Sequence, residues 1–324
     1  MNRFQTIATL GPASSQPEMW QAMLSAGATS FRLNTSHLSL AQLLQWLERL
    51  DPVLRGRNVL VVLDLQGSKW RLGRFPACEL EIGEQVTLVL GQQAARPAEI
   101  PVPHADFFAA ALQSDGEVVL NDARVRLQIE RVDEGWLTAR VLQPGVLQEN
   151  KGITLSRSDY RSETLGEKDQ TIYQQTAALA WVRYAVSYVK DGQEMLRYRH
   201  LLGNRSDLIA KLERQPALLD VRKIEEQAGE VWLCRGDLGA ELGLRAMAES
   251  VHQFTQSLAS RRVPALMAGQ VLEHMADNPM PTRSEVCYLY DVTAAGYAGV
   301  VLSDETAVGK FPVEACRIAS QLSS

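Results

Sequence analysis

Eight short apolar runs, most separated by stretches of helix length, constrain this chain more than any other feature. They run from Phe4 to Leu10, Thr29 to Leu33, Val59 to Asp64, Trp181 to Ser187, Leu208 to Lys211, Val231 to Cys234, Ala265 to Ala268 and Gly299 to Ser303. Most are continuous rather than alternating, as strands covered on both faces should be. Between them, Pro17 to Ala26, Leu40 to Leu50, Asp169 to Ala180, Gln193 to Leu202, Ala246 to Arg261 and Ser284 to Ala295 carry helical spacing. Eight such units predict an α/β fold, a (β/α)8 barrel of roughly 250 residues. The chain has 324 residues, and the surplus sits in one place.

From about Gly67 to Leu165 the rhythm changes to alternating strands and turns. Val86 to Leu90, Glu117 to Leu120, Val125 to Ile129 and Trp136 to Val141 are strand candidates, separated by Asp115-Gly116, Asp133-Glu134-Gly135 and Pro144-Gly145. The expected organisation is a barrel catalytic domain over 1–66 and 166–324, with an all-β lid domain over 67–165 inserted after the third barrel strand. Such a domain overhangs the carboxyl face of the barrel and can close on it.

Charge and cysteine usage narrow the partners. A net charge of −5 and a pI near 5.7 argue against a nucleic-acid surface and an anionic membrane. Cys78, Cys234, Cys287 and Cys316 lie far apart without metal-ligand spacing, so reduced thiols and a cytoplasmic location are expected. The sequence enters its first strand at once, so no signal peptide is expected, and no apolar stretch is long enough to span a bilayer. His104, His200, His252 and His274 show no ligand spacing and read as surface or capping residues. Gly309-Lys310-Phe311 lacks the upstream glycine of a phosphate loop.

The chemistry is expected where the strands end, because the carboxyl edge of a barrel holds the active site. Strand two ends in Arg32-Leu33-Asn34-Thr35-Ser36-His37, and strand three in Asp64 followed by Gln66-Gly67-Ser68-Lys69 and Arg71. Strand four ends in Ser187, strand five in Lys211 and Glu213, strand six in Arg235-Gly236-Asp237, and strand seven in Gly269 and Gln270. Any one alone is a strand cap or a solvated charge. Together, arginines, lysines and carboxylates on one face repel or desolvate one another unless a phosphate and a metal lie between them. Two carboxylates can hold a divalent ion that also takes substrate oxygens, and a lysine can face a phosphoryl group.

On these residues the chain resembles the pyruvate kinase family. Thr6-Ile7-Ala8-Thr9-Leu10-Gly11-Pro12-Ala13-Ser14 is similar to its opening strand. Arg32-Leu33-Asn34-Thr35-Ser36-His37 resembles its arginine and monovalent-cation motif, Val62-Leu63-Asp64-Leu65-Gln66-Gly67-Ser68-Lys69 its next strand, and Lys151-Gly152-Ile153-Thr154-Leu155 its lid signature. Glu167-Lys168-Asp169, Lys211-Leu212-Glu213, Arg235-Gly236-Asp237-Leu238-Gly239, Pro281-Thr282-Arg283-Ser284-Glu285 and Leu302-Ser303-Asp304-Glu305-Thr306-Ala307 follow in the family's order.

The resemblance implies phosphoryl transfer from phosphoenolpyruvate to ADP, giving pyruvate and ATP. Glu213 and Asp237 are the implied Mg²⁺ or Mn²⁺ ligands. Lys211, Arg32, Ser187 and Gln270 are the implied catalytic residues, and Gly236, Asp237 and Gly269 face the substrate carboxylate. Arg71, Lys151, His37 and Asn34 are implied for the nucleotide. Asn34, Ser36 and Asp64 mark the monovalent-cation site, where Lys69 stands at a position that is glutamate in potassium-dependent members, so potassium is not expected to be required. A homodimer through the barrel is the assembly left open, because the family's C-terminal allosteric domain is expected to be absent.

Departures set out the alternatives. Gly269 replaces a threonine, Gln42 a tyrosine of the adenine site, and Asp304 a glycine. Asn121-Asp122-Ala123 and Tyr288-Leu289-Tyr290-Asp291 also differ from the family's runs. One alternative is another enol phosphate or 2-oxo acid on the same metal–lysine site, and the other is a weak paralogue that binds ligand or partner.

Overall fold

A computed structural model describes residues 4–114, 116–121, 124–156 and 165–321. Asp115, Asp122 and Ala123, named above in a turn and a lid departure, lie outside the described residues. The eight apolar runs form one closed barrel of parallel strands in sequence order: Gln5–Thr9, Ser30–Asn34, Leu60–Leu65, Val182–Val186, Ile209–Leu212, Glu230–Cys234, Ala265–Ala268 and Gly299–Leu302. The first strand closes on the last, with Ile7 opposite Val301.

Period-two alternation decides which residues face the barrel axis. Ile7, Val62, Ala185, Ile209, Trp232, Leu266 and Val301 pack together inside, whereas Val61, Leu63 and Leu65 join the larger core between strands and helices. Two residues beyond Val62, Ala185 and Ile209 on the same face come Asp64, Ser187 and Lys211. The inward face is apolar through its depth and turns polar at its carboxyl end.

Helices wrap the outside. The second, Leu40–Leu54, opens with a capping box between Ser39 and Gln42, buries Leu43, Leu47, Leu50 and Leu54, and runs on through Pro52 beyond the expected stop at Leu50. The helix Arg283–Ala295 is capped by Thr282 and Glu285 and closed by left-handed Gly296. Short helices Gln215–Leu219 and Val221–Glu225 follow strand five, where no periodic pattern marks them.

Between strands three and four the chain builds a second body. Six strands pair in the order Ile153–Leu155, Glu117–Leu120, Val125–Asp133, Trp136–Gln143, Gln85–Leu90 and Glu99–Val102, beside a two-stranded ribbon of Cys78–Leu80 and Gly145–Leu147. It has its own apolar core. It also contains a helix, Ala105–Ala111, which an all-β expectation does not include. That helix supplies Phe107, edge-on to Trp70 at 5.3 Å, and Asp106, whose Oδ1 accepts the Trp70 indole N–H at 2.9 Å.

Candidate active site

The polar rim converges as expected, but through ion pairs already made within the chain. Lys211 Nζ lies 3.0 Å from Asp64 Oδ2 and 3.0 Å from Glu213 Oε1, and donates to Ser187 Oγ at 2.9 Å. Arg32 Nε donates to Asp64 Oδ2 at 2.7 Å, and its Nη1 to Thr9 Oγ1 at 2.9 Å. Lys69 Nζ sits across both oxygens of Asp237, at 2.6 and 2.7 Å. Three carboxylates are thus matched by three cations in a buried setting.

Burial and neighbours pull these groups in opposite directions. Burial raises Asp64, but Lys211 and Arg32 outweigh it and hold the carboxyl well below its ordinary range. Burial lowers Lys211, but Asp64 and Glu213 hold it well above its ordinary value, so the ammonium stays charged. Glu213 goes the other way: burial raises it more than Lys211 lowers it, and Asp237 adds to the rise. Asp237 is raised by burial, yet Lys69 brings it below its usual range.

The cavity they line holds about 240 Å³. The barrel contributes Arg32, Asn34, His37, Asp64, Ser187, Lys211, Glu213, Gly236, Asp237 and Gly269; the inserted sheet and its hinge contribute Lys69, Arg71, Asn121, Arg124, Lys151 and Gly152. Gly236 and Asp237 open the helix Arg235–Leu242, whose first N–H groups have no partner within the helix. Arg71 Nη1 donates to Asn150 O at 2.8 Å. His37 is lowered to about 4, by burial and by the Arg71 and Lys151 charges, and is neutral at pH 7.

Two expected residues stand outside this cavity. Gln270 lines an adjoining one of about 390 Å³, with Leu244, Met247 and Glu273. Ser36 is not in the lining; its N–H caps onto Asn34 Oδ1 at 3.2 Å. Lys69 reaches Asp237 rather than Asp64. His104 is not at the surface: it is buried at the N-cap position of the helix Ala105–Ala111, and its Nε2 accepts the Arg71 N–H at 3.0 Å, holding the backbone of a pocket arginine.

Sequence reasoning missed Tyr188. It has φ +63, its N–H donates to Glu213 Oε2 at 2.7 Å, and its hydroxyl meets Thr154 of the inserted sheet at 3.2 Å. Its place directly after the strand end at Ser187 was the available signal. Thr9, which fixes Arg32, carried the period-two signal, since it ends the first strand two residues beyond inward-facing Ile7.

The chemistry of the donor set fits a divalent ion. Glu213 and Asp237 offer hard oxygens in one cavity, and an ammonium already occupies a cation position on Asp237. Among the described residues no three acidic, histidine or cysteine side chains are placed to hold one metal ion together, so a bound ion would complete its shell with substrate and water. No helix among the described residues is long and apolar enough to cross a membrane.

Comparison with known proteins agrees. A family model described as the barrel domain of pyruvate kinase matches residues 1–316. A pyruvate kinase of Agrobacterium vitis is 32% identical over 330 residues, covering 99% of this chain and 67% of that protein. One of Methylorubrum extorquens is 34% identical over 331 residues, covering 99% and 68%. A crystal structure of a pyruvate kinase from Cryptosporidium parvum superposes with a TM-score of 0.85 at 22% identity, covering 99% of this chain and 68% of that one, which supports the shared fold.

Proposed function

This chain belongs to the pyruvate kinase family, and from that premise we propose that it moves the phosphoryl group of phosphoenolpyruvate to ADP. The observation that carries the reading is the Lys211 ammonium, held charged between Asp64 and Glu213 at the mouth of the barrel. Phosphoryl transfer asks mainly for positioning and for neutralisation of developing charge. Lys211 supplies a fixed cation for the phosphoryl and enolate oxygens, and no reorganisation is needed when the charge appears. Arg32, locked by Asp64 and Thr9, faces the transferred phosphoryl. The first N–H groups of the helix at Gly236 and Asp237 receive the substrate carboxylate. Arg71 and Lys151, both from the hinge and inserted sheet, take the nucleotide phosphates, and neutral His37 offers a hydrogen bond there without a charge.

Ser187 acts on Lys211 rather than on substrate. Its hydroxyl donates to Asp64 Oδ1 at 3.0 Å and accepts from Lys211, so its proton is engaged. Glu213 and Asp237 would hold Mg²⁺ or Mn²⁺, which supplies charge neutralisation between the substrate's oxygens. Potassium is not required on this reading, because Asp64, Glu213 and Asp237 already have tethered cations. Activity in tetramethylammonium buffer should match that in potassium buffer, and Lys69→Glu should make it potassium-dependent; strong potassium activation of the unaltered protein refutes this. A cytoplasmic setting and a dimer through the barrel go with the same reading.

The test is pyruvate formation from phosphoenolpyruvate and ADP in a coupled assay with Mg²⁺. A second reading, another enol phosphate at the same site, is favoured by Gly269, which lies between the main cavity and the adjoining one. Repeating the assay with longer enol phosphates separates the two. No turnover of any, with metal-dependent binding of phosphoenolpyruvate retained, would leave a binding paralogue instead.

A further inference from the structure

Lys69 and Asp237 stand 168 residues apart in the chain and meet through both carboxylate oxygens. Their side chains are only 9% and 13% exposed, so the contact is built by the fold. Lys69 leaves the hinge after strand three, and Asp237 sits in the first turn of the helix after strand six. Lys69's tip passes Gly152 of the inserted sheet so closely that a Cβ there would lie 2.8 Å from Lys69 Cε. Three separate parts of the fold therefore place one ammonium on one of the two carboxylates assigned above to the metal.

The other cations cannot release it without loss. Asp64 is held by Arg32 and Lys211, and Glu213 by Lys211. A divalent ion arriving at Asp237 meets a like charge in a poorly solvated cavity. Displaced, the ammonium loses a buried partner, and Asp64 and Glu213 beside it are already engaged by Arg32 and Lys211. An anionic ligand arriving with the ion removes that difficulty, since its oxygens can receive the ammonium.

We propose that Lys69 is an internal cation guarding the Asp237 seat: it opposes a divalent ion alone and yields to the ion together with an anionic ligand. This rests on the assignment of Glu213 and Asp237 to the metal. It implies positive coupling between metal and anion, built into the resting ion pairs.

Mn²⁺ titration by calorimetry, or by the resonance signal of free Mn²⁺, reads the inference without turnover. Oxalate serves as the anionic probe. Lys69→Met should bind Mn²⁺ alone at least tenfold more tightly than the unaltered protein, and oxalate should improve that binding by less. Lys69→Arg, which keeps the cation, should behave like the unaltered protein. Asp237→Asn should lose most Mn²⁺ binding in either background. Equal Mn²⁺ affinity in Lys69→Met and the unaltered protein, with dependence on Asp237 intact, overturns the role of Lys69 and leaves the metal assignment standing. Mn²⁺ binding indifferent to Asp237→Asn overturns both. Circular dichroism of each variant guards against misfolding as the cause of weaker binding.

Discussion

Lys211 and Gly269 show how single residues carry opposite burdens here. Lys211 is useful because two buried carboxylates keep it charged. Lys211→Met should lower the rate of phosphoryl transfer by about 10²–10³-fold, the usual loss for one preorganised donor; a variant retaining more than a tenth of the rate on the same substrate contradicts the role. Gly269 has φ +86, and a Cβ there would stand 3.3 Å from Gly236 N, one of the N–H groups assigned to the carboxylate. Gly269→Ala should cost about 1–2 kcal/mol from the left-handed backbone alone, read as a lowered denaturation midpoint. It should also raise KM for the substrate more than it lowers kcat. An unchanged midpoint and KM would mean that the loop relaxes freely.

At the scale of elements, the hinge depends on one carboxylate. Asp169, in the first turn of the helix Glu167–Thr176, accepts the N–H of Gln66 at 3.3 Å and of Gly67 at 2.9 Å. The chain's way out of the barrel is thereby tied to its way back. Gly67 has φ +60, and a Cβ there would stand 2.2 Å from Ser187 O, so the turn admits glycine alone. Burial raises Asp169 from 3.8 to about 6, more than its two N–H partners lower it. The folded chain therefore holds a proton between those values that the unfolded chain has released. Stability from this group grows as pH falls from about 6 towards 3.8 and is lost as pH rises through 6, by about 3 kcal/mol over the window. Unfolding by urea at pH 4.5 and 7.5 should show the unaltered protein gaining on Asp169→Asn at the lower pH. A difference independent of pH would show that Asp169 titrates normally.

At the scale of the molecule, the inserted sheet lies over the barrel mouth and touches it where chemistry is assigned. Arg124 reaches Glu273 at 3.7 Å, Thr154 meets Tyr188, and Lys151 and Gly152 line the cavity. These contacts are polar and join two separate cores, as expected of bodies that move against each other. Small-angle scattering should show compaction when Mn²⁺ and oxalate are added together. Identical profiles at saturating ligand would count against closure. If Lys69 guards the metal seat, Mn²⁺ alone should compact the protein less than the pair does.

The barrel was legible in the sequence because burial on both faces writes a strand as an unbroken apolar run, and every barrel strand falls within two residues of its expected bounds. The polar ends were legible too, since period two carries the inward face from Val62 to Asp64 and from Ile209 to Lys211. The helix at Ala105–Ala111 and the pair after strand five are too short for a periodic pattern, and their local signals, the alanines and Asp106 of the one and Pro216 of the other, were passed over. The pairing of the charges was equally beyond the sequence. Their places at the strand ends say that lysines and carboxylates meet at one rim, but not that Lys69 passes Asp64 for Asp237, or that His104 turns inward to hold Arg71. Those choices depend on distances between strand ends and on room beside Gly152. Only the closed barrel, with its inserted sheet folded over it, sets both.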